Sequence, residues 1–599
     1  MSEQLYLTFG VYNEKRMNEL FTMKTKLFFL FIAIAMTASA QKRSDADMKA
    51  IAIQKLNGIQ VKGRVSQTID IKSLYEAEQL SIYGNDNGFV VVSREATAPP
   101  VLGYSDKAYD ADNMPDGFKW WLRNTNQGLS SRRAMPEGWT RQFTPVSPLM
   151  TTEWGQSYPY NMLCPKIKVD GTDVLPSSGC VATALAQILK YYKYPQQGRG
   201  KGDYTASQTL DEVVNPVTVT ISGKYNYGSM LDNYSKDEGN MANQRSVATL
   251  VRDCGYASRM SYSLEGSGSS TILAARGSVY NFAYDSLALH NYQREFFTEN
   301  EWRHMIYDEL EARNPILYGA NDYINGGHAF VFDGLDEEGL VHVNWGWNGW
   351  ADGFYDMFNL KPSIHDGPDD DYELSHMMVL GFRPHETPTD DEGYETFFTS
   401  TEKYTYEVDG ENLILNLKDA NNYGFLDVKM FLALCFFNVD DDGSFDGIRL
   451  SNSTVMPSGY GYYNIPPLKI NLNDSEEDLN LQPGTYDVII AAIQDSDRGL
   501  ICPIRSAGTG ALIYQITKSA DGTLTLSDDV TNFETGINQV FFKDAKNGFV
   551  PNIEKGKPVG SDLYDMTGRK ISEPVSGQIY IERYRYSDGS TYSMKRIAK

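Results

Sequence analysis

The sequence predicts an α+β chain of several domains, with all-β modules in its C-terminal part. Three observations carry that expectation. At roughly 150 residues per domain, 599 residues make about four domains. Helical and strand patterns are mixed up to about residue 384, and only strand-length runs separated by turn signals follow. The composition, 41% hydrophobic and 12% aromatic, suits packed cores and not a disordered or fibrous chain. With 54 basic against 78 acidic residues the net charge is −24, which argues against nucleic acid or an anionic membrane as partner. Five cysteines are too few for a disulfide scaffold, and their odd number leaves one thiol unpaired within a single chain.

Residues 1–40 read as an N-terminal extension and a signal peptide. Met23-Lys24-Thr25-Lys26 is a basic start, Leu27 to Met36 an apolar run, and Thr37-Ala38-Ser39-Ala40 a small-residue cleavage site. The run is far shorter than the ~20 residues that span a bilayer, so export without a transmembrane segment is expected. Residues 41–145 read as a small α/β unit: Ala50 to Leu56 is helical in pattern, Gly88 to Ser93 is a strand after the turn Asn85-Asp86-Asn87, and Lys119 to Leu122 begins another helix. Arg132, Arg133 and Arg141, near Pro136 and Gly138, suit a protease-accessible linker.

In the next region Pro176-Ser177-Ser178-Gly179 runs into Cys180 and a helical pattern through Tyr192, with Val181, Leu185, Ile188, Leu189 and Tyr192 on an apolar face. Cys180 then starts a helix, where free N–H groups and the dipole favour a thiolate nucleophile; a small buried cysteine packing the helix start is the alternative. A nucleophilic thiol needs a base, and among seven histidines His328 stands out. Gly326 and Gly327 before it allow close approach, and Ala329 to Phe332 after it read as a buried strand. A second strand, Leu340 to Trp345, puts His342 and Asn344 on one face; Asn344 or Trp345 could hold the imidazole, while His342 reads as an ordinary strand residue with a satisfied hydrogen bond. Gln156 and the Cys180 N–H could together stabilise an oxyanion. No CxxC or His-rich spacing occurs around Cys164, Cys254, Cys435 or Cys502, so neither a metal site nor a cofactor is expected.

Together the stretches Trp154 to Asn161, Gly179 to Ala184, Gly326 to Val331 and His342 to Trp347 resemble the streptopain family of papain-like cysteine proteases, with a layout similar to the interpain enzymes. The resemblance covers residues 146–384. It implies a papain-like catalytic domain with Cys180 as nucleophile, His328 as general base, Gln156 in the oxyanion hole and Trp345 packed beside His328, with Asn344 competing for the orienting role. It also implies substrate contacts from Gly327 and from Ser267, in the run Gly266-Ser267-Gly268. The strand Gly88 to Ser93 and the following Pro100 to Ser105 resemble the family's propeptide, which makes residues 41–145 an inhibitory propeptide cleaved between Arg132 and Val146. Asp366 to Asp371 departs from the family's glycine-rich loop there, so subsite preference does not carry over.

Residues 385–530 are expected to form a β-sandwich, from runs at Tyr404–Val408, Leu413–Leu417, Val428–Phe437, Thr485–Ile493 and Leu512–Ile516. Asn438 to Gly443 partly resembles a calcium loop, but Arg449 stands where a bidentate Glu belongs, so a solvated turn is expected. Residues 531–599, with Leu563 to Ile571 and Gly577 to Ile581, resemble the sorting domains of type IX secretion cargo, making secretion machinery a possible partner. The resulting expectation is a secreted cysteine endopeptidase made as a zymogen, acting on protein or peptide substrates and inhibited by its own propeptide. A Cys-His amidase acting on peptidoglycan and a non-catalytic surface adhesin are the rival readings.

Overall fold

A computed structural model of the chain describes residues 42–60, 70–130, 143–286, 288–322, 326–358, 375–384, 398–439, 445–473, 481–495, 501–527, 530–532, 560–564, 570–572, 579–585 and 591–597. The signal peptide, the Arg132/Arg133/Arg141 linker, the Asp366 to Asp371 segment and the acidic part of the calcium-like loop lie outside the described residues. Among the described residues no helix is long and apolar enough to cross a membrane. The described residues divide into two compact units, one drawn from those up to 109 with 125–130, the other from 110–124 with those from 143 onward.

In the first unit, α1 (Asp45–Gln60) lies against an antiparallel meander of β1 (Lys72–Glu76), β2 (Leu80–Asn85), β3 (Gly88–Ser93) and β4 (Val101–Ser105). Met48, Ala52 and Leu56, spaced one helical turn apart, are fully buried, as are the apolar residues of β3. The pairing Asn85↔Gly88 leaves Asp86 and Asn87 as the two-residue hairpin turn that the sequence pattern indicates. Helix α2 (Asp116–Ser130) follows, and its residues 116–124 group with the second unit.

In the second unit, β5 (Ile167–Val169) and β6 (Thr172–Val174) form a hairpin. Strand β7 (Lys201–Ser207) pairs antiparallel with β8 (Val217–Thr220) and parallel with β9 (Ser261–Ser263). Helices α3 (Cys180–Tyr192), α4 (Met241–Ala257) and α5 (Thr271–Phe282) share one apolar core through Leu185 and Ile188, Val247 and Val251, and Ala274 and Phe282. One antiparallel stretch of sheet lies beside it, in the order β14 (Gly353–Tyr355), β13 (Val341–Asn344), β12 (Gly326–Leu335), β11 (Ile316–Asp322), β15 (Ser375–Leu380) and β10 (His290–Gln293). Alternation along β12 sends Ala329 and Val331 into the α3 core. Phe330 and Phe332 face the other way and stack on Tyr318 of β11. On that side Trp302 of α6 (Glu299–Glu311) meets Tyr318 edge-on.

The C-terminal part is all-β. Strands Val428–Asn438 and Gly484–Gln494 pair over nine residue pairs at the centre of a two-faced sheet. Leu434, Val488 and Ile490 point into the main sandwich core, and Cys435, Ile489 and Ala491 into a smaller cluster opposite. A four-stranded sheet of Lys570–Ile571, Gly560–Tyr564, Ile579–Arg585 and Thr591–Ile597 closes the chain. The sandwich packs on the protease-like core through Arg505. Its guanidinium lies 2.5 Å from Glu301 of α6, donates to the Phe296 carbonyl at 2.7 Å and covers the Phe297 ring at 4.0 Å.

Candidate active site

The nucleophile candidate depends on one glycine. Gly179 precedes α3 with φ 88° and offers no side-chain cap, so the first N–H groups of the helix stay open toward Cys180. A Cβ at Gly179 would lie 2.7 Å from the Met260 sulfur, so Met260 would have to move aside for a side chain there. Three hydrogen bonds hold this turn. The Ser178 N–H donates to the Gln156 carbonyl at 2.9 Å, the Ser267 hydroxyl to the Ser177 carbonyl at 2.7 Å, and the Thr183 hydroxyl to the Gly179 carbonyl at 3.1 Å. Gln156 and Ser267, far from Cys180 in sequence, thus border the same turn.

Cys180 is half-buried, and the backbone N–H of Ala329 points at its thiol. That contact brings the start of α3 to β12 one residue from His328. None of the five cysteines forms a disulfide, and Cys164, Cys254 and Cys435 are buried in apolar surroundings. Burial pushes the Cys164 thiol up to about 12. Cys180 departs from the expectation of a lowered pKa. Burial pushes its thiol above the usual value, and the N–H groups of Ala329, Val181 and Cys180 oppose the rise without overcoming it. Desolvation penalises the thiolate more than three backbone dipoles stabilise it.

His328 is half-buried at the start of β12, opposite Ala320, and Gly327 beside it is exposed opposite Asn321. Trp345 follows β13 and is buried; its indole N–H donates to the Ala351 carbonyl at 2.9 Å and its ring lies 4.8 Å from Phe330. Its backbone N–H donates to Asp352, whose carboxyl is pushed up to about 7 by burial. Asn344 goes to the nucleophile helix. Its Oδ1 accepts from Gln187 Nε2 and from the Gly346 N–H, both at 3.0 Å, and its Nδ2 donates to the Thr152 carbonyl at 2.7 Å. With those partners the Asn344 amide ties α3 to the Thr152 segment. The bulge after Phe332 explains His342, whose Nδ1 lies 2.6 Å from Asp333, so it is a paired strand residue.

The N-terminal half of α2 packs beside this site. Phe118 meets Trp345 edge-on at 6.1 Å, Trp120 lies 6.4 Å from Phe330 and 5.5 Å from His376, and the Trp121 indole donates to the Asp356 carbonyl at 3.0 Å. Gly117 is required here, because a Cβ would come within 2.9 Å of the Trp345 ring. Among the described residues no group of His, Cys, Asp and Glu could hold a metal ion.

Gln187 and Thr152 were not legible as functional positions. The one signal for Gln187 is a polar residue, one turn beyond Thr183, in a helix otherwise buried through apolar side chains.

The model of the Peptidase C10 family matches residues 154–355, and that of the Spi protease inhibitor family matches residues 40–129. The chain is 30% identical over 327 residues to the thiol protease/hemagglutinin PrtT of Porphyromonas gingivalis, covering 50% of this chain and 36% of that protein. It is 28% identical over 347 residues to streptopain of Streptococcus pyogenes, covering 54% of this chain and 86% of streptopain. Among solved structures it is similar to a prointerpain A fragment of Prevotella intermedia, at 32% identity and a TM-score of 0.45, covering 53% of this chain and 99% of the fragment.

Proposed function

This chain belongs to the streptopain-like cysteine proteases of the Peptidase C10 family, and on that premise we propose that it is a secreted endopeptidase made as a zymogen. The carrying observation is the contact of the Cys180 thiol, at an uncapped helix start, with the N–H of Ala329 next to His328. In this reading His328 takes the Cys180 thiol proton, the thiolate adds to a peptide carbonyl, and the oxyanion takes hydrogen bonds from the Cys180 N–H and the Gln156 amide. The C–N bond then breaks, His328 gives its proton to the leaving amine, and water hydrolyses the thioester. Trp345 shields the imidazole side of the cleft, and Gly327 and Ser267 contact the substrate backbone.

The match of residues 40–129 to a protease inhibitor, with the packing of Phe118 and Trp120 on Trp345 and Phe330, supports residues 41–145 as the inhibitory propeptide. The burial that raises the Cys180 thiol pKa supports a resting precursor whose nucleophile is held back from ionising. Residues 146–384 are the protease, 385–530 the sandwich, and 531–599 the sorting sheet that hands the protein to a secretion apparatus after the signal peptide in residues 1–40 has acted.

Cys180→Ala should abolish both the digestion of a denatured protein and the self-processing of the full chain. Digests of protein and of peptidoglycan run side by side separate an endopeptidase from an amidase. Wild-type processing by the alanine variant overturns the assignment, as does release of cell-wall fragments without cleavage of protein.

A further inference from the structure

Three of the segments that carry groups assigned to the site are the stretch before Gln156, the helix that Cys180 starts, and the strand end before Trp345; His328 lies on a fourth, β12. One closed ring of hydrogen bonds joins the first three. The Thr152 hydroxyl donates to Gln187 Oε1 at 2.8 Å, Gln187 Nε2 donates to Asn344 Oδ1 at 3.0 Å, and Asn344 Nδ2 donates back to the Thr152 carbonyl at 2.7 Å. The Trp154 N–H adds a longer bond to Gln187 Oε1 at 3.4 Å, and the Gly346 N–H closes on Asn344 Oδ1 at 3.0 Å. All three residues are buried, and Gln187 is fully so.

A primary amide has one donor end and one acceptor end, and here both ends of Gln187 are committed to different segments. Apolar contacts in the same core tolerate a sliding of one segment on another. A buried ring of directional bonds does not, because any slip leaves a buried polar atom without its partner. Thr183, one turn nearer Cys180, extends the connection by accepting or donating at 3.2 Å with Ser178 and by donating to the Gly179 carbonyl.

We propose that Gln187 is a positioning residue that sets the register of the Cys180 helix against the Gln156 loop and the Trp345 strand end. The inference rests on the protease reading and deepens it. Gln187 touches no substrate and acts through the placement of Cys180 and Gln156. Errors of about 1 Å in such placement cost about a hundredfold in rate.

The test uses the full chain, allowed to process itself, in the variants Gln187→Met, Thr152→Val and Thr152→Ser. Folding is checked by near-UV circular dichroism and a cooperative melt. The expected result for Gln187→Met is a kcat about ten- to a hundredfold lower with little change in KM. Thr152→Val should show a smaller loss of the same kind, and Thr152→Ser, which keeps the hydroxyl, should restore it. The pH profile of Cys180 alkylation by iodoacetamide should move to higher pH in Gln187→Met, a readout that a change in stability alone leaves in place. A folded Gln187→Met enzyme with wild-type kcat and alkylation profile overturns the proposal. If Gln187→Met does not fold, Thr152→Val decides by the same criteria. A wild-type chain that cleaves no protein overturns the protease reading instead, while the alkylation profiles, which need no substrate, still test the positioning role.

Discussion

Gln156 and Gly179 serve the same turn in different ways. Gly179 is needed for its backbone, since φ 88° strains any residue with a side chain, and a Cβ would also push the Met260 thioether aside. Gly179→Ala is expected to lose about 1–3 kcal/mol and to displace Cys180, visible as a lower urea midpoint and slower alkylation of the thiol. Gln156 contributes its carbonyl to Ser178, which any residue could do, and its side-chain amide is the part that the proposed oxyanion hole uses. Gln156→Ala should therefore leave the melt unchanged and lower kcat by about 10²–10³ with little change in KM, measured on a peptide substrate. A folded alanine variant with wild-type kcat removes Gln156 from the oxyanion hole.

At the scale of elements, α3 was legible because its apolar residues recur at helical spacing and alanines fill the gaps. Its end is set by Lys193 in the left-handed conformation, donating to Leu189 and Lys190. His376 on β15 had no such signal. Register aligns it with Ala320, the residue opposite His328 on β11, yet it is buried and its Nδ1 meets the Tyr318 hydroxyl at 2.9 Å. Burial, helped by Arg294, pushes its pKa down to about 3 from 6.5. The unfolded imidazole then takes up a proton that the folded one refuses. The stability due to neutral burial is complete above pH 6.5 and is lost as the pH falls toward 3, at up to about 1.4 kcal/mol per pH unit. In a Cys180→Ala background, urea unfolding between pH 7 and 4 should show a steeper loss for the parent than for His376→Gln. Parallel curves would mean that His376 protonates in the folded state.

At the scale of the whole molecule, the sandwich is tied to the protease core by a buried ion pair. The Arg505 side chain is 2% exposed and that of Glu301 12%, and the Glu301 carboxylate also caps α6 through the Thr298 N–H. Removing one partner strands a buried charge, so Arg505→Leu should cost about 3–5 kcal/mol, while Arg505→Leu with Glu301→Gln should recover part of the loss. Urea titration of the full chain measures both. A single-variant loss below about 1 kcal/mol would mean that water reaches the pair.

The sequence by itself determined the local parts: α3 with its leading thiol, the glycine-flanked His328 strand, the β3 hairpin and the succession of short strands from Tyr404 onward. Each rests on spacing, turn residues or propensity within a dozen positions. Only the tertiary structure decided that Asn344 serves Gln187 and Thr152, that Ala329 meets the Cys180 thiol, and that burial pushes that thiol's pKa up. Residues at 152, 187 and 344 share no periodicity, and desolvation depends on what packs around a group from elsewhere in the chain. The odd cysteine count points to one unpaired thiol, but none of the five forms a disulfide, and it is the position of Cys180 at an open helix start beside β12 that distinguishes it.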